Sequence, residues 1–191
     1  MNTRRATLLQ GLSASLGLFA SHRVCAQSDD MRAPPPPQLR GWLNTPRLVG
    51  QHRLTYWGFE VYDASLWADA AFAPEAWAKQ VLVLDLRYLR AFKGRDIAQR
   101  AIDEIAGQHA LSTVQAQQWL AALQALIPDV RTGERLTGIY LPNKGLQLRH
   151  QDRDVGDLRD TELAERFFGI WLAPQTSQRE LRQQLLRGAQ A

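Results

Sequence analysis

The sequence predicts an α+β fold, in which an antiparallel β-sheet carries a layer of helices on one face. Three observations predict it. Runs rich in β-branched and aromatic residues lie at 53–67, 81–88 and 135–150, and these side chains pack best on a pleated surface. Runs with helical spacing occupy the stretch between 94 and 127 and return beyond 160. Strand and helix runs do not alternate one for one, as the βαβ units of a parallel sheet require.

The 191-residue chain is 45% apolar and 22% charged, long enough for one sizeable core, with no internal repeat and no sign of a second domain. Its first 26 residues are of another kind. MNTRRATLLQGLSASLGLFASHRVCA has a basic start, an apolar stretch from Ala6 to Ala20 and small residues around a cleavage point after Ala26, the layout of a secretory signal. The stretch is interrupted by Gln10 and several Ser and Gly residues and is shorter than the ~20 apolar residues of a membrane span, so no permanent span is expected. Arg4-Arg5 ahead of Leu8-Leu9 resembles a twin-arginine export signal, from which Thr7 departs; ordinary secretion stays open. Cys25, the lone cysteine, leaves with this signal. A mature chain without cysteine suits a periplasmic or secreted protein.

The chain has 23 Lys+Arg against 19 Asp+Glu. Three of the arginines, Arg4, Arg5 and Arg23, lie in the signal, which contains no acid, so the mature chain has 20 against 19, a net charge of +1. That balance lacks the positive field that holds nucleic acid. Residues 27–40, QSDDMRAPPPPQLR, contain a four-proline run that favours an extended helix unable to pair in a sheet. They are expected to act as a linker, with one domain spanning residues 41–191.

Within HRLTYWGFEVYDASLW, Gly58 either divides the run into two strands or marks a bulge. In VLVLDLRY, Leu82, Leu84, Leu86 and Tyr88 alternate with Val81, Val83, Asp85 and Arg87, which predicts one buried and one partly solvated face, with Asp85 and Arg87 as a surface pair. RLTGIYL and GLQLRH flank Pro142-Asn143-Lys144-Gly145, a hairpin turn signal. Ile97, Ala101, Ile102 and Ile105 share one face of a helix with Gly107 as its stop. Ser112 and Gln115 form a capping-box pattern before a helix that Pro128 ends. Leu163, Phe167 and Trp171 fall at i, i+4 and i+8 of a further helix, and a last helix is expected from Ser177.

Signals whose spacing enforces a mechanism are missing. His52, His109 and His150 are scattered and no cysteine ligand survives export, so no metal site is expected. Gly133 and Gly138 have phosphate-loop spacing, but Ile139 and Tyr140 follow where Lys and Ser or Thr are needed. Asp63, Asp85 and Glu104 are candidates for raised-pKa acids if buried. Composition and spacing describe an exported α+β domain and go no further.

The order of phrases carries more. An arginine-led aromatic strand with VYDASLW, then VLVLDLRYLRAF feeding KGRDIAQRAIDEI, then a hairpin around YLPNKG, and FFGIWLAP before a Leu-rich helix together resemble the chalcone isomerase-like family over residues 42 to 187. The resemblance implies an apolar cleft between sheet and helices and no cofactor. In enzymes of that family the cleft closes a flavonoid ring; in fatty-acid-binding members it holds an acyl chain whose carboxylate meets a strand arginine. Arg53 looks like that arginine, and Tyr62 stands where the enzymes have a threonine. The enzymes' helical tyrosine, lysine and asparagine fall on Ile97, Arg100 and Glu104. Ile97 cannot move a proton, so the original cyclisation is not expected.

Arg53, Tyr62, Arg100 and Glu104 are therefore the expected ligand-binding residues, with no catalytic set around them. Two plainer readings stand beside this: Arg53 as the charged end of a strand, and Arg100 with Glu104 as an i, i+4 pair on a solvated face. The function expected is that of an exported, non-catalytic protein binding a small apolar or amphiphilic ligand, an apolar acid such as a fatty acid. The alternatives are an isomerase or lyase using Arg53 as electrophile with Tyr62 or Glu104 moving the proton, and an envelope scaffold with a patch of exposed tryptophans, including Trp42, Trp57 and Trp77.

Overall fold

The computed structural model describes Leu39 and residues 41–190. The expected signal, residues 1–26, and most of the expected linker lie outside the described residues. Six strands, β1 (Pro46–Tyr56), β2 (Phe59–Asp69), β3 (Leu82–Tyr88), β4 (Arg135–Leu141), β5 (Gly145–His150) and β6 (Arg153–Leu158), form one antiparallel meander in chain order. Among the described residues four α-helices accompany them: α1 (Gly94–Gln108), α2 (Thr113–Leu126), α3 (Thr161–Leu172) and α4 (Arg179–Leu185). The α+β class read from the sequence is the observed one. β6 went unread because RDVGDL buries only Leu158 and shows no alternation.

Gly58 belongs to a turn. Trp57 and Gly58 both have positive φ, 52° and 78°, as a two-residue hairpin whose twist matches its strands requires. Beyond that turn the pairing is irregular. Thr55 faces Glu60, but Leu54 faces Tyr62 and Arg53 faces Asp63, so Val61 is an extra residue on β2.

Strand alternation then sorts the sheet into two faces. The inner face carries cross-strand rows such as Leu54–Tyr62–Tyr88, Ala64–Leu86–Leu136 and Leu66–Leu84–Gly138–Leu148. Nearly all of these side chains belong to the main core, into which Leu163, Phe167 and Phe168 of α3 also pack. The opposite face carries Arg53–Asp63–Arg87–Arg135, Ser65–Asp85–Thr137–Arg149 and Trp67–Val83–Ile139. Part of this outer face is also dry, because Leu39 and Leu43 cover Trp67, Val83 and Ile139 in a second small core. β3 is consequently buried on both sides except at Arg87, where a half-solvated strand was expected. Leu39, at 2% exposure, also shows that packing reaches back into the stretch read as linker.

The helices are held by local chemistry. Ser112 caps α2 by accepting the Gln115 N–H at 3.1 Å. Asp160 caps α3 from the Leu163 N–H at 2.9 Å and also accepts the Trp119 indole N–H at 3.0 Å. The start of α1 abuts the end of α2 so closely that a Cβ on Gly94 would stand 2.0 Å from the Ile127 carbonyl oxygen. Two helix ends differ from expectation. α1 runs through Gly107 to Gln108, and α4 starts at Arg179 because Ser177 turns its hydroxyl toward Glu104 instead of capping.

Candidate functional site, an apolar cavity under the sheet

The inner rows do not close completely against the helices. A cavity of about 390 Å³ remains between β1–β5 and helices α1 and α3, within the size range of small-ligand pockets. Leu84, Leu86, Leu136 and Leu148 form its floor, and Phe167, Ile170 and Trp171 of α3 with Ile97 and Ala101 of α1 form its roof. Gly138 keeps the floor low, since a Cβ there would press on Leu146 and Phe168 at 3.3 and 3.4 Å. Tyr56 and Arg100, both well exposed, mark the mouth, where the Arg100 guanidinium lies over the Tyr56 ring 5.4 Å from its centroid.

Polar groups on this wall are few. Arg100 hydrogen-bonds Glu104 one turn on, and Glu104 also accepts the Ser177 hydroxyl at 2.7 Å. Tyr62 accepts the indole N–H of Trp171 at 2.9 Å, and its ring meets Tyr88 edge-on at 5.7 Å. Burial pushes the Tyr62 phenol well above its ordinary value, with the Trp171 hydrogen bond pulling weakly the other way. The Tyr88 phenol is likewise pushed up, first by burial and then by Tyr62 beside it. Both keep their protons throughout the neutral range, so their hydroxyls are available to donate and not to serve as bases. Tyr88, which sequence reasoning passed over, was visible as an inner-face residue of the alternating run but carried no chemical signal.

Three of the four expected ligand residues, Tyr62, Arg100 and Glu104, meet at the cavity. Arg53 does not, and its placement corrects the expectation built on it. It stands on the outer face, where it donates to Asp63 at 2.6 and 3.2 Å and to Glu60 at 2.6 Å. The reason is the extra residue on β2. An unbroken hairpin would set Arg53 opposite Tyr62 on one face; the bulge sets Leu54 opposite Tyr62 and turns Arg53 outward. Arg100 with Glu104 is an i, i+4 pair, as the plainer reading held, and the pair also sits on the cavity wall.

The other acidic candidates are outer-face groups. Burial raises the Asp63 carboxyl, but hydrogen bonds from Arg53 and Arg87 outweigh it and hold it below the ordinary carboxylate range, the reverse of a raised-pKa acid. Asp85 is 4% exposed and does not pair with Arg87; it accepts from Arg135 and from the Thr137 hydroxyl at 2.8 Å. The tryptophans form no common patch among the described residues. Trp57 is 83% exposed, whereas Trp42 bonds Gln147 and Trp77 packs on Tyr140.

A six-stranded antiparallel sheet with one layer of helices over an apolar cavity defines the fold class. A family model described as chalcone isomerase-like matches residues 50–187, and the chain belongs to the chalcone isomerase-like family. An uncharacterized protein of Haemophilus influenzae is 30% identical over 138 residues, 72% of this chain, and the chain spans 66% of that relative's length. The crystal structure of an Arabidopsis thaliana fatty-acid binding protein superposes with a TM-score of 0.59 at 12% identity, over 76% of this chain and 89% of that one. At that identity the likeness establishes the fold.

Proposed function

We propose that the protein is an exported, non-catalytic binding protein that holds the chain of an apolar molecule such as a fatty acid in the cavity beneath β1–β5. The single observation that carries this is the apolar void of about 390 Å³ with a polar rim at one end. Removing apolar surface from water at ~25 cal/mol per Å² supplies most of the affinity, and the rim sets which end stays at the mouth. The name of the Arabidopsis relative supports the same class of ligand. The sequence-derived version, with the headgroup on Arg53, is replaced by one in which Tyr62, Arg100 and Glu104 surround the head. A cyclising electrophile at Arg53 loses its support for the same reason, since that guanidinium lies across the sheet from the cavity.

The test is mass spectrometry of an organic extract of gently purified protein, together with titration by the fluorescent apolar probe N-phenyl-1-naphthylamine. A co-purified amphiphile, displaceable by the probe, is expected. An empty extract and no probe uptake would sink the proposal. Export belongs to the same reading: residues 1–26 direct the chain out of the cytoplasm, and amino-terminal sequencing of the exported protein is expected to begin at Gln27. No helix among the described residues is long and apolar enough to cross a membrane.

A further inference from the structure

We propose that the cavity selects an uncharged oxygen acceptor at the head of the apolar chain, an amide, ester, alcohol or protonated acid, and that the hydroxyls of Tyr62 and Tyr88 read that oxygen. This rests on the pocket reading above and narrows its ligand class. Tyr88 is 4% exposed, lines the cavity and has no hydrogen-bond partner for its hydroxyl among the described residues. The fully enclosed unpaired polar atoms among the described residues lie elsewhere, on Arg47 and Gln108, so the Tyr88 hydroxyl keeps open surface that a guest in the cavity can reach. Tyr62, whose ring is 5.7 Å away, has accepted the Trp171 N–H, and its own hydrogen meets no acceptor among the described residues. The two neighbouring phenols, both protonated at neutral pH, face an apolar space. A carbonyl oxygen has two lone pairs and can accept from both.

The charges on the wall point away from a carboxylate. Apart from the tyrosines, its ionisable groups are Asp96, Arg100 and Glu104, all from α1. The strands and α3 contribute none, and Gln178 is neutral. Arg100 is already engaged by Glu104, and among the described residues Asp96 pairs with Arg95, which is not part of the wall, at 3.5 Å. A bound carboxylate would thus meet two carboxylates and one neutralised guanidinium, an arrangement that disfavours another negative charge. Arg53, which would have reversed that balance, lies on the other face.

The experiment compares dodecanoate with dodecanamide, equal in chain length and nearly equal in head shape, as displacers of N-phenyl-1-naphthylamine from the purified protein at pH 8. The amide is expected to bind about tenfold more tightly, the scale of one well-made hydrogen bond. In Tyr88→Phe the amide is expected to lose most of that advantage while dodecanoate changes little. Tyr62→Phe serves as the second variant if Tyr88→Phe does not fold. Dodecanoate binding as tightly as the amide, or an amide preference unchanged in both variants, overturns this inference and leaves the pocket reading standing. Displacement by neither compound overturns both.

Discussion

The two faces of the sheet use the same strands in the same register, yet one lines an apolar cavity and the other is crossed by ion pairs. On the inner face the row Leu54–Tyr62–Tyr88 ends in two phenols with little to bind; one residue along, Arg53–Asp63–Arg87 is fully paired. The difference teaches where function can reside. Paired charges at a partly exposed surface have satisfied their chemistry already, whereas phenols that line a cavity keep hydroxyl groups within reach of a guest.

The largest expected effect comes from filling the void. Ala101 is buried on α1 and lines the cavity roof, so Ala101→Trp places an indole where the apolar chain would lie. Since each 1.4 kcal/mol is tenfold in affinity, loss of even half the buried tail contact should weaken probe binding by well over about tenfold. An unchanged circular dichroism spectrum would show the fold retained. Undiminished probe uptake in that variant would place the ligand elsewhere.

Next is Asp85, a buried acid of the outer face. Asp85→Ala strips Thr137 and Arg135 of their acceptor inside the sheet, and a loss of roughly 1–3 kcal/mol in urea unfolding is expected, with probe binding preserved. If the two faces were coupled, binding would fall in step with stability.

How much of this contrast was legible in the sequence depends on what alternation can carry. The period of two in VLVLDLRY placed Leu84, Leu86 and Tyr88 on one face, and the structure keeps them there. Ser112, Pro128 and the i, i+4, i+8 set of Leu163, Phe167 and Trp171 located two helices because capping and helical spacing are local properties. Alternation fails at an insertion. Nothing in HRLTYWGFEVYD announces that Val61 is the extra residue, and without that knowledge Arg53 and Tyr62 fall on one face. The signal that could have warned of it was charge: Arg53, Glu60 and Asp63 lie within one short hairpin, where they can answer one another. The outer core escaped notice for a different reason, because Leu39 and Leu43 reach Val83 and Ile139 only through tertiary contacts.

Arg53→Ala separates the sequence expectation from the structure, and its effect is expected to be small. The guanidinium is 43% exposed, with Glu60 at 56% and Asp63 at 20%, so screening by water around the arginine keeps the loss of stability to about 1 kcal/mol. Probe binding is expected to stay within about twofold of the parent, a change too small to count as a lost contact. A large loss of binding would return the arginine to the pocket and undo the separation of the faces.

The smallest effect is in the acid limb of the stability curve. Asp63 is held below its ordinary value because the Arg53 and Arg87 hydrogen bonds outweigh the cost of burial. A carboxyl depressed in the folded state contributes stability that is fully present above its unfolded value of about 3.9 and is lost as pH falls through the lower folded value. Urea midpoints should therefore drop between pH 5 and pH 2 less steeply in Asp63→Asn than in the parent, while the two curves run parallel above pH 5. Probe binding at pH 5 and above should not distinguish them, because the carboxyl that titrates faces away from the cavity. A binding transition that shifted with Asp63→Asn would mean that the outer row reaches the pocket through the strand, and that one residue of offset does not insulate one face from the other.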